Sequence, residues 1–400
     1  MDTDERGKDW YYLTMIPYGR QEITEEDIES VIAVLRSDFL TQGPCVPKFE
    51  TLVANHVNAT HAIAVNSATS ALHIACLALG LGPGDLLWTT PITFVASANA
   101  ALYCGAQVDF VDINTGSFNM CASALELKLQ QAEKNGRLPK IVVPVHMCGQ
   151  SPDMATIARL GERYGFHIIE DASHAIGAKY RGEFVGNCAY SDITIFSYHP
   201  VKIITTAEGG MALTNNDELA EKMALLRSHG ITRDLDVTSS GYEGPWQYQQ
   251  VALGFNYRMT DMQAALGISQ MARLDVYVQQ RHAIARRYDK MLLDLPVATP
   301  AQNPDCFSAY HLYVIKVEDS HGIISRRSVF EHLRSADIGV NVHYIPVHTQ
   351  PYYRALGFAQ GDYPNAEQYY SQAISLPMFP KLTDADQSYV VDTLAQALSG

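Results

Sequence analysis

The chain lacks the features that mark secreted, zinc-dependent or membrane-spanning proteins. Its seven cysteines are scattered and no two form a C-x-x-C pair, which argues against a disulfide framework and against a zinc site. No apolar run reaches the roughly 18 residues that span a bilayer. The charged N-terminus also lacks the apolar segment of a signal peptide. We therefore expect a cytoplasmic protein with no metal and no membrane partner.

Positive charge is also scarce. The 400 residues include 43 acidic and 29 basic ones, for a formal net charge of −14. Such a balance disfavours binding to nucleic acid through bulk charge, but a locally positive site can still take an anionic substrate. In other respects the composition is that of an ordinary globular protein, with 47% hydrophobic and 18% charged residues.

Short apolar runs alternate with amphipathic helical segments over the first half of the chain. Strands that alternate with helices predict a mainly parallel sheet with helices on both faces. The C-terminal part has a different pattern, with strands predicted at 311–317 and 339–344 and helices between and after them. Two domains are expected at this length. We predict a polar arm over residues 1–20, a large α/β domain over 21–270 and a smaller α+β domain over 271–400.

The most informative stretch is a short apolar run that ends at Pro200 and is followed two residues later by Lys202. Burial disfavours the charged form of an amine and lowers its pKa, and a neutral amine can attack a carbonyl carbon. A lysine among apolar and small residues is therefore a candidate nucleophile. A surface lysine at the end of a strand is the alternative that this stretch alone leaves open.

A second apolar run, upstream of the lysine, ends in the carboxylate of Asp171 and is followed by Ala172, Ser173 and His174. The carboxyl ends of parallel strands form the ligand-binding edge of an open α/β sheet. Pyridoxal phosphate (PLP) requires a lysine for its aldehyde and an acid for its pyridine nitrogen. Asp171 as a strand-end cap and His174 as a satisfied core histidine are the structural alternatives.

A predicted strand at 62–66 leads into Ser67, Ala68 and Thr69 at the start of a predicted helix. Free backbone N–H groups and the helix dipole favour a phosphate at such a position, although Ser67 or Thr69 could simply cap the helix. Phe94 follows another predicted strand. It is placed either to stack on a flat ring or to serve as a core aromatic.

Six motifs occur along the chain in one order: Asn66–Leu72, Pro91–Ala96, Glu170–Ala175, Ser197–Lys202, Glu208–Gly210 and Asn256–Arg258. Together they resemble the fold-type-I PLP enzymes, and more narrowly the DegT/DnrJ/EryC1/StrS family of nucleotide-sugar aminotransferases. The resemblance implies an α/β fold with a mainly parallel, seven-stranded sheet between helices and a smaller C-terminal α+β domain. It also implies PLP as cofactor and a homodimer with shared active sites.

The resemblance implies a role for each matching residue. Lys202 forms the covalent Schiff base with PLP and then acts as general base and acid. Asp171 pairs with the pyridinium nitrogen, and His174 lies near the ring's 3-hydroxyl, where many relatives have glutamine. Phe94 stacks on the ring. The residues implied around the phosphate are Ser67, Ala68, Thr69, Ser197 and, from the other subunit, Asn256, with Ser67 also a candidate contact of the nucleotide sugar.

Shorter matches, among them Leu40–Gly43 and Arg227–Thr232, resemble a subgroup of the family that acts in pseudaminic acid biosynthesis. That subgroup aminates C4 of a UDP-linked 4-keto-6-deoxy-N-acetylhexosamine with L-glutamate as donor. The implied nucleotide-sugar contacts are Tyr18, Leu40, Thr41, Gln42, Asn256, Asn341, Val342, His343 and Tyr344. The arginines that could offset the diphosphate charge are Arg20, Arg227, Arg233 and Arg258.

Three other functions stay open at this point. The chain could aminate another nucleotide-linked keto sugar, such as a dTDP-sugar. It could be a PLP-dependent sugar dehydratase, but histidine replaces the lysine in that branch of the family, and Lys202 is present here. It could also be a non-catalytic binder built on the same scaffold, against which the lack of any appended DNA-binding segment argues.

Overall fold

A computed structural model describes residues 15–233, 244–318 and 324–399, so most of the predicted N-terminal arm lies outside the described residues. The helices in these ranges are α1 (Glu25–Leu35), α2 (Cys45–Val57), α3 (Ala68–Ala78), α4 (Ala96–Tyr103), α5 (Ala122–Lys134), α6 (Met154–Tyr164), α7 (Asp217–Leu226), α8 (Asp261–Met271), α9 (Leu274–Met291), α10 (Arg326–Ser335), α11 (Pro351–Ala355), α12 (Pro364–Gln372) and α13 (Asp384–Leu398).

The strands in the same ranges are β1 (His61–Val65), β2 (Leu86–Thr89), β3 (Gln107–Phe110), β4 (Ile141–Val143), β5 (His167–Asp171), β6 (Lys179–Tyr180), β7 (Glu183–Phe184), β8 (Ile193–Ser197), β9 (Gly210–Thr214), β10 (Ile231–Thr232), β11 (Gln249–Gln250), β12 (Val297–Ala298), β13 (Cys306–Phe307), β14 (Tyr313–Val317) and β15 (Ala373–Leu376). Among the helices of the described residues, none combines the length and apolar character that crossing a membrane requires.

The central sheet has seven strands in the order β1-β9-β8-β5-β4-β2-β3. Only β9 runs antiparallel to its neighbours, and the pairs from β8 to β3 are all parallel. The predicted mainly parallel sheet is therefore confirmed. Because β5 and β8 are adjacent and parallel, Asp171 pairs with Ile195, and the ends of both strands open at the same edge of the sheet.

Both faces of the sheet are covered, which explains why its strands are continuous apolar runs rather than alternating ones. In β8 every residue is buried: Ile195 packs into the core formed with α3 and α4, and the next residue, Phe196, packs into the core formed with α2 and α8. The rigid strand pair β5 and β8 is thus fixed from both sides. The segments that follow β5 and β8 therefore begin at fixed points.

The C-terminal part contains the antiparallel sheet β12-β14-β15, with α10 and α13 packed on it. Helix α9 contributes to two cores: Tyr277 and Val278 pack in the core that includes α2 and α8, and Ile284 and Tyr288 pack in the core that includes β14 and α13. The predicted boundary at residue 270 falls just before this helix, and the chain passes between the two cores within it.

The prediction of a strand at 339–344 is wrong. This segment makes only an isolated bridge between Asn341 and Ser375, with hydrogen bonds in both directions between their backbones. The Asn341 side chain accepts a hydrogen bond from the amide of Val342 at 2.8 Å, so this amide is bonded to a side chain rather than to a neighbouring strand. The alternation of apolar residues suggested a strand, but the segment instead forms a wall of the cavity described next.

Candidate active site

One cavity of about 640 Å³ opens where β5 and β8 end. Its walls come from the start of α3, the segment after β2, the loop after β8 and the segment 341–345 of the small domain. It brings together most of the residues that the sequence predicted to form the site. Those lining it are Tyr18, Ser67, Ala68, Thr69, Phe94, Asp171, His174, Ser197, Lys202, Asn341, Val342, His343 and Tyr344.

Lys202 lies on the loop between β8 and β9, which folds back on itself. Its amide donates to the carbonyl of His199 at 2.9 Å, and the following Ile203 and Ile204 are buried in the core. Burial lowers the pKa of the Lys202 amine to about 8, although the negative charge of Asp171 acts in the opposite direction. The lysine therefore has an appreciable neutral fraction near physiological pH, which is the form that attacks a carbonyl carbon.

We expect the rate at which cofactor-free protein regains PLP absorbance to rise with pH around a midpoint of about 8, rather than at the usual 10.5 of a lysine. Since the unfolded chain keeps this proton to a higher pH than the folded chain, the cofactor-free protein should also gain stability as pH rises from about 8 to about 10. Stopped-flow absorbance and thermal unfolding at a series of pH values measure the two effects.

Asp171→Asn serves as the electrostatic control for that profile. Because the Asp171 charge raises the pKa of Lys202, its removal should move the midpoint below about 8. A wild-type midpoint close to 10.5 would show that the amine is solvated, and a midpoint that Asp171→Asn raises would contradict the coupling between the two groups.

Asp171 ends β5 and its side chain is buried at 5% exposure. Ser97 donates from Oγ to Oδ2 at 2.6 Å, and Ser173 donates from Oγ to Oδ1 at 2.6 Å and from its amide at 3.2 Å. These donors fix the orientation of the carboxylate while leaving it able to accept from a cationic ligand group. Ser97 is the second residue of α4, a helix rich in small residues, and nothing in the sequence singled it out.

The start of α3 forms an anion cradle. Ser67 caps the helix by accepting from the amide of Ser70 at 3.1 Å, so Ala68 and Thr69 are the first residues of the helix, with amides that no earlier turn satisfies. Strand β9 passes close by: a Cβ on Gly210 would lie 2.5 Å from the amide nitrogen of Ala68. Glycine at this position allows the close approach. The cradle has the backbone donors and dipole that bind a phosphate.

Another part of the cavity wall is formed by the rings of Phe94, His174, His343 and Tyr344. The ring of Phe94 is 59% exposed and lies 6.3 Å from that of Tyr344, centroid to centroid. The hydroxyl of Tyr344 lies 3.2 Å from Nε2 of His174. Burial and the nearby Lys202 charge bring the pKa of His174 well below its usual value, and they lower the pKa of His343 to about 3. Both imidazoles are therefore neutral in this wall.

These residues fit PLP. The cavity offers an amine with a lowered pKa, a buried and oriented carboxylate, a helix start with free backbone amides, and an exposed aromatic ring. The four features correspond to the aldehyde, the ring nitrogen, the phosphate and the ring face of the cofactor. Within the described residues, no group of three or more His, Cys, Asp or Glu is arranged to hold a metal ion.

The model of the DegT/DnrJ/EryC1/StrS aminotransferase family matches residues 21–395. The chain belongs to this family. It is similar, with 39% identity over 385 residues, to a Campylobacter jejuni protein named UDP-4-amino-4,6-dideoxy-N-acetyl-beta-L-altrosamine transaminase. That match covers 96% of this chain and 98% of the relative.

Two solved structures support the assignment. Helicobacter pylori PseC, described as an aminotransferase involved in the biosynthesis of pseudoaminic acid, has a TM-score of 0.88 and 30% identity, covering 96% of this chain and 99% of that one. The PLP form of Spr1654 from Streptococcus pneumoniae has a TM-score of 0.86 and 30% identity, with the same coverage. The protein is a sugar aminotransferase that uses PLP, which confirms the enzyme class and the cofactor predicted from sequence.

Some residues predicted for the site of this aminotransferase lie outside its cavity. Leu40, Thr41 and Gln42 are exposed, and the run is held against the start of α8: the Asp261 carboxylate accepts from the amides of Gly43 and Cys45, and its own amide donates to the carbonyl of Leu40. Asn256 is also exposed, and its backbone forms a bridge with Ser228. In a single chain neither segment reaches the cavity.

The four candidate arginines also lie outside the cavity lining of the described residues. Arg227 is already engaged: its Nη1 donates to Glu50 Oε1 at 2.5 Å and to the carbonyl of Ala64 at 2.8 Å. Arg20 lines a separate surface depression with Lys381, and Arg258 makes a backbone bridge with Val65 beside the α3 cradle. Arg227 is thus the weakest of the four as a partner for a diphosphate.

The cavity also contains residues that the sequence did not predict, namely His199, Glu208, His311 and Gln350. His199 and Glu208 stand inside motifs already quoted for the lysine segment, so their position in the chain could have suggested them. His311 is buried at 4% exposure, and its ring centroid lies 4.3 Å from that of His174. It lies two residues before the start of β14 and has no distinguishing sequence signal.

Proposed function

We propose that the protein transfers an amino group from L-glutamate to C4 of a UDP-linked 4-keto-6-deoxy-N-acetylhexosamine, as a step of pseudaminic acid biosynthesis in the cytoplasm. The proposal rests on one observation: Lys202, Asp171 and the segment 341–344 line the same cavity. The names of the Campylobacter jejuni relative and of PseC support the choice of sugar.

In this proposal each residue has a defined task. PLP, when bound, supplies an electron sink for the carbon from which a proton is removed. Lys202 holds and moves that proton at Nζ, and its pKa of about 8 suits a group that acts as both base and acid near neutral pH. Asp171, held by Ser97 and Ser173, places a negative charge opposite the ring nitrogen.

The other walls bind and orient. The amides at the start of α3, together with Ser197 at the end of β8, would hold the phosphate. Phe94 would cover one face of the ring and exclude water from it. His174, whose Nε2 lies 3.2 Å from the hydroxyl of Tyr344, would contact the edge of the ring. The segment 341–344 and Tyr18 face the rest of the cavity, where we propose that the nucleotide sugar lies.

We also propose that the active unit is a homodimer. The segment 40–42 and Asn256, which match sugar and phosphate contacts of the family, are exposed and stand away from the cavity of their own chain. Apolar side chains are exposed near both segments: Leu40 at 47% and Leu253 at 80%. A second copy that covers these side chains would place the two segments at the neighbouring cavity.

A panel of 4-keto sugars tests the substrate. We expect 2-oxoglutarate to form when the protein, PLP and L-glutamate are incubated with the UDP-linked 4-keto-6-deoxy-N-acetylhexosamine. The dTDP-linked 4-keto sugars should react at least about a hundredfold more slowly in kcat/KM, the discrimination available when a site's polar groups lose their partner. Product formed only from dTDP-sugars would overturn the choice of nucleotide, and reaction with other amino acids but not glutamate would overturn the donor.

A further inference from the structure

Arg281, on α9, is a buried cation without an acidic partner. Its side chain is 1% exposed, and within the described residues no ion pair is formed by its guanidinium. Instead, Nη1 donates to three backbone carbonyls: those of Tyr310 at 3.1 Å, His311 at 3.2 Å and Met378 at 3.1 Å. Burying a charge without a counter-charge is unfavourable, so the contacts that offset this cost identify what the residue does.

The three carbonyls belong to two segments that lead into the cavity. One segment carries His311, whose imidazole lines the cavity beside His174 and whose amide donates to the carbonyl of Cys148 at 2.9 Å. The other carries Met378, whose amide donates to the carbonyl of Tyr18 at 2.9 Å. The Tyr18 ring lines the cavity and lies 5.5 Å from that of His343, centroid to centroid.

We propose that Arg281 is a positioning residue: it ties the segments of His311 and Met378 to α9 and thereby sets the wall of the cavity that carries Tyr18 and His311. The helix itself is anchored in both cores, with Tyr277 and Val278 in one and Ile284 in the other. Through its hydrogen bonds, Arg281 thus holds the segments of His311 and Met378 in a fixed position relative to α9. The inference rests on the proposed function only in taking this wall as part of the sugar site.

The test compares three variants. Arg281→Met keeps the length of the side chain but removes every donor, and Arg281→Lys keeps the charge and the donors of an ammonium group. Arg287→Met is the matched control, because Arg287 lies on the same helix and also makes three hydrogen bonds, to the side chain and carbonyl of Asp384 and to Ser388, neither of which lines the cavity.

We expect Arg281→Met to retain bound PLP and its visible absorbance but to lose about ten- to about a hundredfold in kcat/KM for the sugar, the loss that a displacement of about 1 Å causes. The loss should appear mainly in KM, because Tyr18 belongs to the substrate side of the cavity. Arg281→Lys should recover part of it. Hydrogen–deuterium exchange should speed up at the amides of His311 and Met378, independently of any substrate.

Arg287→Met should leave those amides and the sugar KM unchanged, while lowering the melting temperature. The inference is overturned if Arg281→Met shows unchanged exchange at both amides, or if the control variant raises the sugar KM equally. If Arg281→Met does not fold, the exchange and KM of Arg281→Lys decide in the same way. Failure of the proposed function shows itself separately, as a wild-type enzyme that does not aminate the UDP-sugar.

Discussion

Lys202→Ala should abolish transamination and leave the fold intact. Among the described residues that line the cavity, Lys202 is the only lysine, and its amine has the lowered pKa that the reaction requires. We expect kcat to fall by about 10⁴-fold or more, because general acid–base catalysis alone supplies about 10²- to 10⁴-fold and the covalent attachment of the cofactor is lost as well. The variant should also lose the visible absorbance of PLP-loaded enzyme.

Lys202→Ala should not lower the stability of the cofactor-free protein, although it lowers the activity. Burial lowers the pKa of the Lys202 amine, so near neutral pH the folded, cofactor-free protein bears a desolvation cost that alanine removes. The melting temperature of cofactor-free Lys202→Ala should therefore equal or exceed that of the cofactor-free wild type. Lys222→Ala, on the exposed side of α7, is the matched control and should retain colour, rate and stability.

The result that would contradict this role is a Lys202→Ala protein that still turns over at more than about a hundredth of the wild-type rate. Reduction of the loaded wild type with borohydride offers an independent check. Reduction should attach the cofactor permanently to the peptide that contains Lys202. A label on any other lysine would identify that lysine as the nucleophile instead.

The cavity explains how an acidic chain can bind an anionic substrate. The net charge of −14 belongs to the whole chain, whereas the cavity lining holds four imidazoles and two carboxylates, those of the buried Asp171 and of Glu208. Burial and the nearby positive charge of Lys202 bring the pKa values of His174 and His311 well below their usual values, so these rings act as uncharged donors and acceptors. An anion entering the cavity can bind to the helix N–H groups and to the amine of Lys202, although the carboxylate of Glu208 also lines the cavity.

The sequence was sufficient for the parts of the site that follow directly from strands. Asp171 and Lys202 could be placed together because parallel, doubly covered strands are continuous apolar runs, and their carboxyl ends share one edge of the sheet. The helix start at Ser67 could be predicted for the same reason. In each case a residue's role depends on its immediate neighbours in the chain.

The parts that the sequence did not provide depend on distant contacts. His311 and Arg281 are recognisable only once the segments 310–311 and 377–378 are brought to α9. The segment 339–344 was predicted as a strand because its apolar residues alternate, but its backbone pairs at a single position and its side chains face the cavity instead. Residues 40–42 and 256 are exposed and lie outside the cavity of their own chain, which no local pattern in the sequence indicates.

Asp171→Asn should reduce kcat by about 10²- to 10³-fold while the protein stays folded. The carboxylate is held by Ser97 and Ser173 in an orientation that suits a cationic ring nitrogen, and removing one preorganised electrostatic partner of this kind costs about that factor. Asparagine keeps the shape: its one carbonyl oxygen can accept from one serine, and its NH2 group can donate to the hydroxyl of the other, which can rotate to accept. The melting temperature should therefore change little, and steady-state kinetics and calorimetry together measure both quantities.

The preceding residue in the same strand provides the matched control. Glu170 is also buried, but on the opposite side of β5, where its carboxylate lies 2.8 Å from Nε2 of His146 and accepts from Ser191. Burial alone raises the pKa of Glu170, and these hydrogen bonds more than offset it, so the carboxyl is ionised. Glu170→Gln should lower the melting temperature and leave kcat within about threefold of wild type. The Asp171 variant would then lose rate but not stability, and the Glu170 variant would lose stability but not rate. Equal losses of rate in both variants would mean that Asp171 affects the rate only by stabilising the fold.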